Sequence, residues 1–225
     1  MALTDSLVSY YKLDSNSSDS VGSNNGTDTA ISYANAGIIG NDATLNGTSS
    51  RITSGTTGFP TGSSAGTISL WVKVAAQPST SQMYLYMYGA FSNNACRILY
   101  YGDSGGTKSI GFAGYNADIS YNTTLTTGSW FHIVGVYDGT NSSLYLNGTL
   151  VVGPTAKTFN TSSGSTAIFG STPTPTSYLN GYLDEVGIWS RALTSTEITT
   201  LYNAGAGVQY PFTTGNPGAF FQFFN

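Results

Sequence analysis

Cleavage of a glycosidic bond commonly needs two carboxylates about 5–5.5 Å apart, one as nucleophile and one as proton donor. This chain has two glutamates, Glu185 beside Asp184 and Glu197 in Thr194-Ser195-Thr196-Glu197. No Ser-His-Asp arrangement is recognisable around the lone His132, which shares a strand face with Trp130, Val134 and Val136 and reads as structural. Cys96 is the single cysteine, so no intrachain disulfide can form. Its alternation with Arg97 places it beside Ile98 as a buried, inert thiol. The expectation is a protein that is not an enzyme.

Two other chemistries have better material. A calcium ion takes about 6–8 hard oxygens from carboxylates, amides and carbonyls. Asp14, Asp19, Asn24 and Asn25 lie together in one polar loop, although such residues also serve simply as turn formers. Sugar rings stack on aromatic faces flanked by a few fixed polar groups. The run Met83-Tyr84-Leu85-Tyr86-Met87-Tyr88 puts its three tyrosines on one side if alternation is strict. With Trp71 and either Tyr100 or Tyr101 they would make an exposed platform. Tyrosine also favours strands on its own account, and such a row can equally pack under a loop or another subunit.

The elements that must hold these residues are nearly all strands. Residues 7–13, 51–53, 66–74, 83–88, 97–101, 108–113, 130–138 and 142–152 alternate or run apolar, with Gly, Asn, Asp and Pro between them. In 66–74, Ile68, Leu70, Val72 and Val74 should face the core, with Thr67, Ser69, Trp71 and Lys73 outward. Asn147-Gly148 predicts a tight hairpin turn, and Asn180-Gly181 predicts another. In 182–189, Leu183, Glu185, Gly187 and Trp189 fall on one face. After Arg191 the period changes. Thr194 and Glu197 have the spacing of a capping box, and Ile198, Leu201 and Tyr202 follow at helical spacing. Gly205 and Gly207 offer left-handed positions to end the helix. The fold class predicted is all-β: a two-sheet antiparallel jelly-roll sandwich of about twelve strands with one short C-terminal helix, about 194–203.

Three stretches carry a family resemblance. GYLDEVGIWSRALTSTEITTLY (181–202) resembles the closing signature of the concanavalin A-like lectin/glucanase superfamily, in its laminin-G/pentraxin-like branch. LVSYYKLDSNSSDSVGSNNGT (7–27) is similar to its first strand and polar loop, and WFHIVGVYDGTNSSLYLNGTLV (130–151) to its central hairpin. The likeness spans residues 3–207 and implies the sandwich. The superfamily's glucanases place their acids on one strand as E-x-D-x-E or E-x-D-x-x-E, which is absent here. The resemblance also implies a structural Ca2+ between the first polar loop and the last strand, nominating Asp19 and Asp184 with Asp14 and Asn25 as additions. Folds host many activities, so a ligand does not follow from the likeness.

At 225 residues a single sandwich domain can bury most of its apolar surface without staples. Charged residues are 8% and aromatics 13%, a composition that builds a core at low charge. Seven scattered basic residues give no nucleic-acid footprint. No stretch approaches the ~20 apolar residues of a membrane span, and residues 1–6 have no signal-peptide pattern. A binding fold without an export signal suggests a virion protein made in host cytosol: a capsid decoration or fibre with glycan-binding adhesion. The alternative is a calcium-dependent secreted or cell-surface lectin. Residues 1–207 form the expected domain. Residues 208–225 form an aromatic tail whose Phe220, Phe221, Phe223 and Phe224 would dock on other subunits of a particle, making a homo-oligomer.

Overall fold

A computed structural model describes residues 1–78, 82–174 and 177–212. Two antiparallel seven-stranded sheets stack face to face. The first runs in the order β1 (Leu7–Tyr11), β14 (Asn180–Trp189), β5 (Gly66–Val74), β10 (Trp130–Tyr137), β11 (Asn141–Leu146) and β12 (Thr149–Ala156). A short β3 (Ala43–Asn46) extends the β1 edge by pairing with the start of β14. The second sheet runs β2 (Thr27–Thr29), β4 (Arg51–Ser54), β13 (Ala167–Phe169), β6 (Gln82–Gly89), β7 (Cys96–Ser104), β8 (Thr107–Ala113) and β9 (Ile119–Asn122). The fold class matches the expectation, with fourteen strands among the described residues rather than twelve. Among those residues no helix is long and apolar enough to cross a membrane.

The core forms where alternation puts aliphatic side chains inward. Ile68, Leu70, Val72 and Val74 of β5 meet Leu85, Leu99, Ile110 and Phe112 of the facing sheet. Asn147-Gly148 turns the β11–β12 hairpin with φ of 50° and 75°, the left-handed pair that its type I′ geometry requires. Asn180-Gly181, in contrast, is no turn. It opens β14, and Gly181 is needed because a Cβ there would sit 2.4 Å from the Lys73 carbonyl of β5.

Two departures from simple alternation bear on the site. A bulge in β14 falls between Asp184 and Gly187, with Glu185 at φ 50°. Leu183 and Val186, three apart, therefore both enter the core, and Trp189 faces the other way. A second bulge interrupts β6 between Tyr84 and Tyr86.

The outer face of the first sheet is covered by the chain's own C-terminal part. Helix α1 (Ser195–Tyr202) lays Ile198 and Leu201 on Val134, Val136, Tyr145 and Trp189. Its capping box is formed: the Thr194 hydroxyl accepts the Glu197 amide at 3.3 Å, and Glu197 accepts the Thr194 amide at 2.8 Å. Arg191 adds two bonds to the same carboxylate, at 2.7 and 2.9 Å, and holds it down at a pKa of about 2. The left-handed cap of α1 is Asn203 at φ 47°, and Gly205 and Gly207 after it also take positive φ, 95° and 66°, as expected. Beyond Gly207, Val208, Tyr210 and Phe212 pack on the same outer cluster.

Thr194→Ala should therefore cost about 1 kcal/mol, the usual worth of an N-cap hydroxyl. Urea unfolding should show a lowered midpoint at unchanged slope; an unmoved midpoint would mean that Arg191 alone positions Glu197.

Candidate functional site

The bulge at Leu85 decides which tyrosines reach solvent. It inserts one residue, so Met83 and Leu85 point inward before it and Tyr86 and Tyr88 point inward after it. The exposed ladder expected from Tyr84, Tyr86 and Tyr88 does not form. Tyr86 and Tyr88 are core residues, edge-to-face with Phe169 and Phe59 respectively. Tyr101 is also inside, its hydroxyl donating to Gln77 at 2.5 Å and accepting from the Leu125 amide. Trp71 does lie on the outer face of its sheet, but there it is buried under Tyr202, stacked at 5.7 Å between ring centres. Of the nominated ring set, Tyr84 alone remains partly open.

The outer face of the second sheet collects Tyr84, Met87, Ile98, Tyr100 and Ala113; all but Tyr84 are buried, and no helix lies on that face among the described residues. Tyr100 lies flat against the strand beside it, since a Cβ on Gly111 would fall 2.2 Å from its ring. Two loop aromatics extend the surface. Phe91 follows β6 and meets Tyr84 at 5.8 Å; Tyr115 follows β8 and meets Phe91 at 5.0 Å. Both are more than a third exposed. Tyr115 sits at φ 57°, an outlier for a bulky side chain, and Asn116 follows at φ 90°. Between these rings opens a cleft of about 170 Å³ walled by Tyr84, Tyr100 and Tyr115, with Gln82, Asn116 and Asp118 contributing polar atoms. Burial raises the pKa of Tyr84 and Tyr100, so both hydroxyls stay protonated and able to donate. Tyr84 already donates to Gln82 at 3.0 Å. Sequence reading missed Phe91 and Tyr115; the signal was an aromatic set among turn residues, in Ala90-Phe91-Ser92-Asn93 and Gly114-Tyr115-Asn116.

The nominated calcium ligands divide into two groups. Asp19 organises its own loop: its oxygens accept from the Ser9 hydroxyl and the amides of Tyr10, Val21 and Asn24, while its amide donates to Asn25. Asp184 lies elsewhere, accepting from the amides of Ile38 and Ile39 at 2.8 and 3.2 Å and from that of Glu185. Asp14 accepts from the Asn41 amide, and the Gln209 side-chain amide bridges Asp14 and Glu185 at 3.1 and 2.6 Å. The oxygens that a cation would need already face N–H and O–H donors. No cluster of three His, Cys, Asp or Glu among the described residues is arranged for a metal. These residues do not fit the ion that the resemblance implied.

Asp14, Asp184 and Glu185 nevertheless gather carboxylates, which the sequence did not suggest. Glu185 is buried beneath Gln209 and hydrogen-bonded by the Tyr10 hydroxyl, which also lies 3.1 Å from the Val208 carbonyl. Residues 208 and 209 lie over the site, and Glu185 is 3% exposed. Ser69 and His132 make a second closed pair, Oγ to Nε2 at 2.8 Å. Burial drops the imidazole to about 3, its Nδ1 has no partner among the described residues, and Trp71 and Tyr202 stack beside it, so it is a neutral packing group. Cys96 is buried with its thiol pushed up to about 12.

Burial, then the adjacent Glu185, raises Asp184; burial first raises Glu185 to about 7, with Asp14 adding to it and Tyr10, Gln209 and Lys12 opposing. A carboxyl with a raised folded pKa holds a proton that the unfolded chain releases near pH ~4. Its stabilising share is complete below that pH and is lost as pH rises through about 7. Thermal midpoints should fall from about pH 5 to about pH 9, and Glu185→Gln should flatten the slope. A midpoint that climbs over this range would contradict the assignment.

Comparison with known proteins agrees with the architecture. The family model Laminin_G_3, concanavalin A-like lectin/glucanases superfamily, matches residues 46–199. No curated protein matches the chain. Among solved structures, domain 4 of AbnA, an extracellular arabinanase from Geobacillus stearothermophilus in complex with arabinotriose, superposes with a TM-score of 0.67 at 24% identity, covering 86% of this chain and 96% of that one. The botulinum neurotoxin serotype D binding domain gives 0.65 at 17%, covering 89% and 51%. Trypanosoma rangeli sialidase gives 0.66 at 17%, covering 91% and 34%. This chain thus spans nearly all of the arabinanase domain, half of the toxin fragment and a third of the sialidase. At these identities the likeness is one of fold. With its two stacked sheets and a matching family model across most of its length, the chain belongs to the concanavalin A-like lectin/glucanases superfamily, as a laminin G-like jelly-roll domain.

Proposed function

We propose that this domain is a non-catalytic carbohydrate-binding module that grips a glycan on the outer face of its second sheet. The observation that carries the reading is the group Tyr84, Phe91 and Tyr115, ring against ring and open to solvent, above a cleft edged by Gln82, Asn116 and Asp118. Sugars present apolar C–H faces and a rim of hydroxyls, and this surface offers rings for the first and amide and carboxylate oxygens for the second. The larger hollow of about 500 Å³ near Thr53–Thr57 and Ser165 has hydroxyls but no ring, and so lacks half of that complement. Arabinotriose in the arabinanase domain supports a glycan as ligand class. The enclosed state of Glu185 and of the Ser69–His132 pair supports binding without cleavage.

Display on a virion, or alternatively secretion, rests on the sequence expectations alone. The tail residues on which subunit docking leans, Phe220, Phe221, Phe223 and Phe224, lie outside the described residues.

A glycan array should show binding that Tyr84→Ala or Tyr115→Ala weakens by about tenfold, about 1.4 kcal/mol. Trp71→Ala should leave the glycan profile in place and destabilise the fold by about 3–5 kcal/mol, as an emptied core site does. An array blank for wild-type protein would end the reading.

A further inference from the structure

The aromatic cleft does not stop at its own rim. Asn116, which edges it, also forms part of a second cleft of about 480 Å³ at the end of the sandwich. Five chain segments converge there: Ser63 before β5, Asn94 before β7, Asn116 and Ala117 before β9, Gly139 and Thr140 in the β10–β11 turn, and Lys157 and Thr158 after β12. Backbone hydrogen bonds tie these segments to one another. The Asn94 amide donates to Tyr115 at 3.1 Å, the Asn160 amide to Asn94 at 2.7 Å, and the Lys157 amide to Thr140 at 3.0 Å. Such cross-linking makes the hollow a preformed feature rather than a gap between loose loops.

Its chemistry differs from that of the aromatic cleft. Tyr137 is the aromatic in its wall, and at 1% exposure it offers no face for stacking. What the wall does offer is hydrogen bonding. Asn94 lines the cleft, and its Oδ1 is buried with no hydrogen-bond partner among the described residues, a cost of about 1–3 kcal/mol that a turn of the side chain toward a donor in the cleft would relieve. Lys157 takes part in none of the ion pairs among the described residues. Asn94, Tyr115 and Asn116 all have positive φ, so the backbone around the shared wall is held in conformations that side-chain-bearing residues rarely adopt. Size points the same way. The aromatic cleft, about 170 Å³, falls short of the ~300–1,000 Å³ usual for a small-molecule site, whereas the end cleft lies within that range.

We infer that the end cleft is a second subsite of the same binding surface, so that the ligand is an oligosaccharide chain rather than a single sugar. One unit stacks among Tyr84, Phe91 and Tyr115. The chain passes over Asn116, and a later unit enters the end cleft against the Asn94 side chain, accepting from Lys157. This rests on the carbohydrate-binding reading given above.

The test is an array printed with length series, one to six units, of neutral and acidic oligosaccharides, read as the ratio of signal for the longest to the shortest member of each series. Wild-type protein should give a ratio of about ten or more in the series it recognises, and Asn94→Gly and Lys157→Ala should each lower that ratio several-fold. Glycine keeps the left-handed backbone at 94, so the variant removes the side chain without forcing the loop to move. Tyr115→Ala should lower the signal at every length. A ratio near one for wild type, or a high ratio that both end-cleft variants leave intact, overturns this inference while the aromatic site stands. A blank array overturns the carbohydrate reading and this inference together.

Discussion

The structure depends on β14 lying between β1 and β5. Its ten residues pair with β5 along most of their length on one side and are shared by β1 and β3 on the other, so both ends of the chain meet along a single strand. Non-local pairing of this kind gains hydrogen bonds and apolar burial only after most of the chain has closed on itself. Once made, it fixes the position of everything attached to it. Arg191, two residues beyond the strand, reaches back to the carbonyls of Ala2 and Asp5 and forward to Glu197, joining the N-terminus, the strand and the helix cap through one guanidinium.

A sandwich has two outer faces, and this one treats them differently. The outer face of the first sheet is covered by α1 and by residues 208–212, which buries Trp71, His132 and Trp189. The outer face of the second sheet carries no helix among the described residues; Met87, Ile98, Tyr100 and Ala113 are nevertheless buried there, and Phe91 and Tyr115 at its edge stay exposed. Burying an aromatic face contributes stability, and leaving one open costs solubility unless a ligand uses it. The exposed rings of Phe91 and Tyr115 are the part of that face on which the proposed glycan site rests.

Much of the architecture was legible from the residues. Alternation in β5, the Asn147-Gly148 hairpin, the capping box of α1 and the buried states of Cys96 and His132 follow from local rules that tertiary packing had no reason to override. The candidate site was less legible, for two physical reasons. A bulge is one extra residue with no compositional mark, and the one at Leu85 exchanged the faces of Tyr86 and Met87. Cover is a non-local property, so an outward position such as that of Trp71 says nothing about whether a helix 120 or more residues later will lie on it. The acids gave the same lesson. Asp14 and Asp184 do approach one another, but the Gln209 amide, from a part of the chain assigned to a separate tail, reaches Asp14 and Glu185 and takes up oxygens that an ion would need.

The inserted residue in β6 also bears on how the strand can change length. Leu85 has no residue opposite it: Tyr84 pairs with Tyr100 and Tyr86 with Leu99, consecutive positions of β7. Loss of Leu85 alone would therefore close the bulge and leave Tyr86 and Tyr88 inward and Met87 outward, at the cost of one aliphatic side chain from the interior. Natural variation can drop or keep this single residue without turning over the side chains that follow it.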